Sequence, residues 1–180
     1  MQLKNVLSFC FLLSMFTWQA QAQEKKFPII AHYGGVYEIP ESENIINRKQ
    51  KYKIVVDITQ GAKSAASMNP AFELVARVMN LYGLAGLPKE KLDIVVILHF
   101  EATPVILADS AYEQVFQVKN PNTAVINTLA EAGVRFYICG QSLRARNFVD
   151  SPRNPNIKVL HGAMLGITHF QSQGYSLLKL

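Results

Sequence analysis

Five short, mainly apolar runs punctuate the chain, at residues 53–59, 92–99, 135–138, 157–161 and 175–180. The first two are rich in Val and Ile and lack the in-out alternation of a half-solvated strand, so they read as strands buried on both faces. Between the runs the apolar period lengthens to three or four. Asn69-Pro70 sets an N-cap side chain and a first-position proline ahead of Phe72, Val75, Val78, Met79 and Tyr82, and Gly83 or Gly86 ends that helix. Thr103-Pro104 repeats the opening for a helix reaching about Asp109, followed by a helical piece over roughly 111–116. Asn120-Pro121 opens another, with Val125, Ile126 and Leu129 inward and Gly133 as its stop. Ser142 is placed to cap a short helix through Leu143, Arg144 and Arg146, and residues 163–173 form a last helix closed by Gly174. Alternation of this kind predicts an α/β protein, a three-layer α/β/α sandwich with a mostly parallel five-stranded sheet. Leu74, Leu81 and Tyr112 fall outside the inward stripes, and such apolar patches mark an interface between subunits.

The first 22 residues stand apart from this pattern. Lys4 precedes an apolar stretch from Val6 to Trp18, and Ala20-Gln21-Ala22 supplies a small-x-small cleavage site. Residues 1–22 therefore read as a signal peptide, too short and wrongly flanked for a membrane span. The mature chain is expected to start at Gln23, in the periplasm or outside the cell, with no membrane span left. Residues 23–50 read as an extended arm held by Ile29, Ile30, Tyr33, Val36 and Tyr37, and residues 51–180 as one α/β domain. Loss of Lys4 lowers the formal charge from +5 to +4, spread along the chain without a basic stripe, which argues against a nucleic-acid partner. Loss of Cys10 leaves Cys139 as the only cysteine. An exported chain with one cysteine has no internal disulfide, so Cys139 is a buried structural thiol, an intermolecular link or a reactive group.

Position favours attention to Cys139. It ends a strand next to Gly140-Gln141, at the sheet edge where open α/β proteins bind ligands, and a helix N-terminus there favours a thiolate. Gly140, Gln141, Ser142 and Arg144 are the candidate ligand-binding residues, with Arg146 adding to the field. His99 ends the second strand at the same edge, and is expected to hydrogen-bond to the thiol if the strands are neighbours, with Glu101 orienting it or binding water. A depressed thiol pKa and partial exposure of Cys139 are expected. The other histidines carry no such signal: His32 lies in the arm, and His161 and His169 lack metal-ligand spacing. No metal site and no cofactor are called for. Gly61-Ala62-Lys63-Ser64 sits between strand and helix but lacks the first glycine and the spacing of a phosphate loop, and no G-x-G-x-x-G or G-x-S-x-G occurs.

Taken together, residues 55–59, the stretch 92–103 with strand-terminal His99, Asn120-Pro121, residues 133–141, Ala163-Met164-Leu165 and Gln173-Gly174-Tyr175 resemble the DsrE/DsrF-like family. These sulfur-relay proteins include the YchN-like group, and secreted relatives carry a leader and an arm like residues 31–40. The resemblance implies a mostly parallel five-stranded sheet, assembly into trimers or hexamers, and a cysteine that carries sulfur as a persulfide, which maps onto Cys139. Sulfur donor and acceptor proteins would be its partners. Relatives often have Gly after the strand-terminal His, where Phe100 stands, and Gly at the end of the short helix, where Asn147 stands. The leading expectation is an exported sulfur carrier or a thiophilic ligand binder. A non-enzymatic oligomeric binding module is the alternative, and a metal or redox sensor sharing cysteines between subunits is a third; whether the protein is an enzyme is left open.

Overall fold

In a computed structural model the described residues are 23–180, so the leader reading lies outside them. Five strands form one sheet: β1 (Tyr52–Ile58), β2 (Leu92–Leu98), β3 (Arg135–Cys139), β4 (Ile157–Leu160) and β5 (Ser176–Lys179). Their order is β4-β3-β2-β1-β5, and every pairing is parallel. The five apolar runs are these five strands, each displaced by at most a residue or two. Central β1 and β2 are buried over Ile54–Ile58 and Ile94–Leu98, as expected of strands covered on both faces.

Helix α1 (Pro70–Leu84) starts as its sequence dictates, with Asn69 Oδ1 accepting from the Ala71 N–H at 3.0 Å. It runs through Gly83 and stops before Gly86, whose φ of +83° no continuing helix adopts. Two of the expected openings differ. Thr103-Pro104 starts no helix; both lie inside a 3-10 segment, Phe100–Ile106, where the Thr103 hydroxyl donates to Phe100 O at 2.7 Å. The next helix, α2 (Asp109–Phe116), begins only after it. Asn120 likewise does not cap α3 (Thr123–Glu131). Its amide donates to Val105 O and Leu107 O, and its Oδ1 accepts from the Asn122 N–H, so it ties the loop to the 3-10 segment. In both cases tertiary partners claim the polar side chain that local pattern assigns to a cap.

One face of the sheet is covered by α1, α2 and α3, whose Phe72, Val75, Met79, Tyr112, Val125, Ile126 and Leu129 meet Val56, Ile58, Val96, Leu98, Phe136 and Ile138. Among the described residues, the opposite face is covered by α5 (Ala163–Ser172) alone, through Ala163, Ile167 and Phe170 against Val55, Val95 and Ile97. The two outer layers are therefore unequal. Tyr112 is not on the outside: it is 3% exposed, and its hydroxyl donates to Ala65 O at 2.9 Å. Leu74 and Leu81 do face outward.

Residues 23–50 lie across α1 without regular secondary structure, apart from one bridge between Lys26 and Val36. Ile30 and Val36 are buried and Ile29 and Tyr33 half-buried, whereas Tyr37 is exposed and does not anchor the segment. The decisive residue is Asn80, fully buried on α1. It accepts from the Ile29 and Ile30 N–H groups at 2.9 and 2.8 Å, and donates to Ile30, Tyr33 and Gly34 carbonyls at 3.0–3.1 Å. Gly34 must be glycine: its φ is +61°, and a Cβ would lie 2.1 Å from Arg77 N.

Candidate site at the carboxyl ends of the strands

Helix α4 (Gly140–Ala145) begins directly after β3, so Cys139 is both the last strand residue and the N-cap of the helix. Gly140 permits this tight handover, since a Cβ there would meet Leu160 O at 2.8 Å. Ser142 thus lies inside α4 and does not cap it. Its role is closer to the chemistry. Burial pushes the Cys139 thiol up, but hydrogen bonds from the Ser142 N–H and hydroxyl and from the Ala163 and Gln141 N–H groups outweigh it. The net effect holds the thiol below its ordinary pKa. Ala163 opens α5, so two helix N-termini converge on one sulfur. The Ser142 oxygen also accepts from the Phe100 N–H at 3.2 Å, which orients its hydroxyl.

Cys139 is more enclosed than expected, at 6% exposure. It is reached through a pocket of about 550 Å³, within the range of small-molecule sites, lined by His99, Phe100, Cys139, Ser142, Arg146 and Met164 among others. Gln141 also lines it, but Gly140 and Arg144 do not. They face a separate hollow of about 350 Å³ beside β4, with Arg153 and His161. Of the two arginines expected to point inward, Arg146 reaches the thiol pocket and Arg144 does not. Neither figures among the groups that set the state of the thiol.

His99 stands beside Cys139 in the pocket, yet its hydrogen bond goes elsewhere. Its Nε2 pairs with Asp57 Oδ1 at 2.7 Å, and both residues are 8% exposed. The expected bond to the thiol is replaced by this one, because Asp57 on neighbouring β1 points to the same face of the sheet. Glu101 does not orient the imidazole either; it pairs with Arg146 across the pocket mouth. A buried β-branched run does not by itself mark Asp57 as a site residue; the signal it carries is a lone acid within that stretch, which needs a partner once buried.

Residues 50–180 match the model of the DsrE/DsrF-like family. The chain belongs to that family. One solved structure shares its fold. The protein of unknown function MTH1491 from Methanobacterium thermoautotrophicum superposes with a TM-score of 0.54 at 23% identity, over 72% of this chain and all of that one. The ychN protein of E. coli gives a TM-score of 0.49 at 14% identity, over 71% of this chain and 99% of its own. No curated protein matches the sequence. Phe100 and Asn147, where the resemblance expects Gly, both take left-handed backbone, with φ of +50° and +57°. Asn tolerates that region, whereas at Phe100 it is strained. The Phe100 side chain is 63% exposed, and its ring lies 4.7 Å from the His99 ring, tilted by 40°.

Among the described residues no helix is long and apolar enough to cross a membrane. Nor does any group of three or more His, Cys, Asp and Glu side chains there form a metal site.

Proposed function

We propose that this DsrE/DsrF-like protein is a sulfur carrier, in which Cys139 takes up a sulfane sulfur as a persulfide and hands it to a thiol. The observation that carries the reading is the thiol itself: hydrogen bonds hold it below its ordinary pKa at the floor of a pocket of about 550 Å³. A merely structural cysteine needs neither the four donors nor the opening. In the loading step the Cys139 thiolate attacks the outer sulfur of a donor R–S–SH. A new S–S bond forms on Cys139, the donor's S–S bond breaks, and its electron pair leaves on R–S⁻. No oxidant is required. Gln141, Ser142 and Arg146 line the path of the incoming group, while Phe100 and Met164, 63% and 81% exposed, form an apolar rim.

The test is mass spectrometry of the protein after incubation with an organic hydropersulfide. A gain of one sulfur atom, lost in Cys139→Ser, supports the carrier. An unreactive thiol with no gain removes it, and leaves the oligomeric binding module.

The same proposal takes the chain as exported and self-associating. Residues 1–22 have the composition of a cleavable leader, and the exposed Phe100, Met164 and Leu165 cluster near the pocket as a contact surface would. N-terminal sequencing of the exported fraction should begin at Gln23, and light scattering should return a trimer or hexamer. Full-length protein in the cytoplasm, or a monomer mass at micromolar concentration, contradicts the respective part.

A further inference from the structure

Asp57, His99 and Cys139 are contributed by three adjacent strands. The register sets Asp57 beside Ile97 and Leu98 beside Ile138, so His99 and Cys139 follow at one level just past the last paired residues. Side chains two apart share a face. Asp57 therefore points with Val55, His99 with Val95 and Ile97, and Cys139 with Tyr137, all toward α5. Neighbouring strands lie about 4.8 Å apart, so His99 and Cys139 stand side by side, with Asp57 diagonally behind His99 on the next strand.

The bond to a carboxylate makes His99 Nε2 a donor, and in the neutral imidazole that leaves the lone pair on Nδ1. Nδ1 has no hydrogen-bond partner among the described residues. Every sealed side-chain nitrogen or oxygen there does have one, so Nδ1 is open to solvent, and the opening His99 lines is the pocket it shares with Cys139. An oriented acceptor nitrogen thus faces the space where a substrate would stand. The thiol does not need it, because amides and Ser142 already favour the thiolate.

Resting on the carrier reading, we propose that His99, oriented by Asp57, is the base that ionises the acceptor thiol in the second half of the relay. Nδ1 takes the proton of R–SH. The resulting R–S⁻ attacks the outer sulfur of Cys139–S–SH, a new S–S bond forms on the acceptor, and the bond to Cys139 breaks. The electron pair stays on Cys139, as the thiolate its hydrogen bonds favour, and the acceptor leaves as R–S–SH. The proton on His99 makes an imidazolium beside the Asp57 carboxylate and passes to water. The step needs no oxidant or reductant. Asp57 is a positioning residue and His99 the catalytic one. The other charged groups around the pair are Cys139 from β3, the Glu101–Arg146 pair at the mouth, and Lys179, in register with Asp57 on β5.

The experiment loads the full chain with an organic hydropersulfide, removes the donor, and follows sulfur transfer to an alkyl thiol by mass. Normalised to the persulfide each protein carries, His99→Gln should transfer about 100-fold more slowly than the wild type at neutral pH. The deficit should shrink as pH rises past the ordinary thiol pKa of ~8.5, where the acceptor ionises unaided, and should vanish with an aryl thiol already ionised at neutral pH. Asp57→Asn should show a smaller deficit with the same pH dependence, and serves if His99→Gln does not fold. Equal transfer by variant and wild type, or a deficit independent of pH and acceptor, overturns the assignment of the base while leaving the carrier intact. A wild type that never gains sulfur overturns the carrier reading, and this inference with it.

Discussion

Replacing Asn80 by Ala removes one side chain and leaves residues 29–34 held to the helix beneath them through the Gly34 N–H, which donates to Glu73 Oε2 at 2.6 Å. Five contacts are lost, two accepted by Oδ1 and three donated by a group with only two hydrogens, so one donor is shared. About four effective hydrogen bonds at ~1 kcal/mol each set a loss of ~4 kcal/mol. If the segment stays seated, the Ile30 N–H and carbonyl and the Gly34 carbonyl are buried without partners, at ~1–3 kcal/mol apiece. If it lifts, water satisfies them, but burial of Ile30 and Val36 is forfeited at ~1.5–3 kcal/mol each. Both routes converge on roughly 3–6 kcal/mol, a large fraction of the ~5–15 kcal/mol that holds a domain together. The melting temperature should fall by ~6–24 °C, at about 2–4 °C per kcal/mol for a chain near this size. Thermal melts supply the magnitude and limited proteolysis the mechanism, since a lifted segment is cut before the α/β domain. Asn80→Ala melting within about 2 °C of wild type, with no new cleavage in residues 23–50, would refute the clasp.

Three further outcomes are expected. Ser142→Ala removes one donor to the sulfur and should raise the thiol pKa, slowing alkylation of Cys139 at neutral pH but not in alkali; an unchanged pH profile contradicts the assigned cause. Because the native thiol pKa is depressed, its stabilisation is full above the unfolded value and lost as pH falls through the native one, so the stability gap between wild type and Cys139→Ser should widen with pH across that interval. Burial raises the Asp93 pKa, but hydrogen bonds from Arg135 at 2.6 Å and from Lys51 outweigh it and hold it low. Asp93→Asn should therefore cost about 1–3 kcal/mol at neutral pH and progressively less on acidification below the ordinary carboxylate range, read from urea titrations at several pH values.

The strands were legible because burial on both faces leaves an uninterrupted β-branched signature, and α1 because Asn69-Pro70 and its apolar stripe agree. The same cap-then-proline logic failed at Thr103-Pro104 and Asn120-Pro121, where the side chains serve loop carbonyls that no local window contains. At the site, the strand-end position of Cys139 and His99 could be read, since order along the chain determines which end of a parallel strand a residue occupies. The partner of His99 could not. Asp57 lies 42 residues away, and only the register of β1 against β2 brings them together. Exclusion of Arg144 from the pocket was equally hidden, because the direction of a six-residue helix decides which arginine turns inward.

The position of β5 beside β1 bears on how the chain is made. Ile54 through Asp57 pair with Ser176 through Lys179, so the first strand emerging from the ribosome waits for the last before its second edge is closed. Until then a run of Ile, Val and Val presents free amide and carbonyl groups, the template on which chains pair with one another. Loop closure across so long a separation is slow, and a chain crossing a membrane before folding would prolong the wait. Truncation ahead of Ser176 should therefore yield aggregates in place of a smaller soluble domain, even though Cys139 and its donors would all still be encoded.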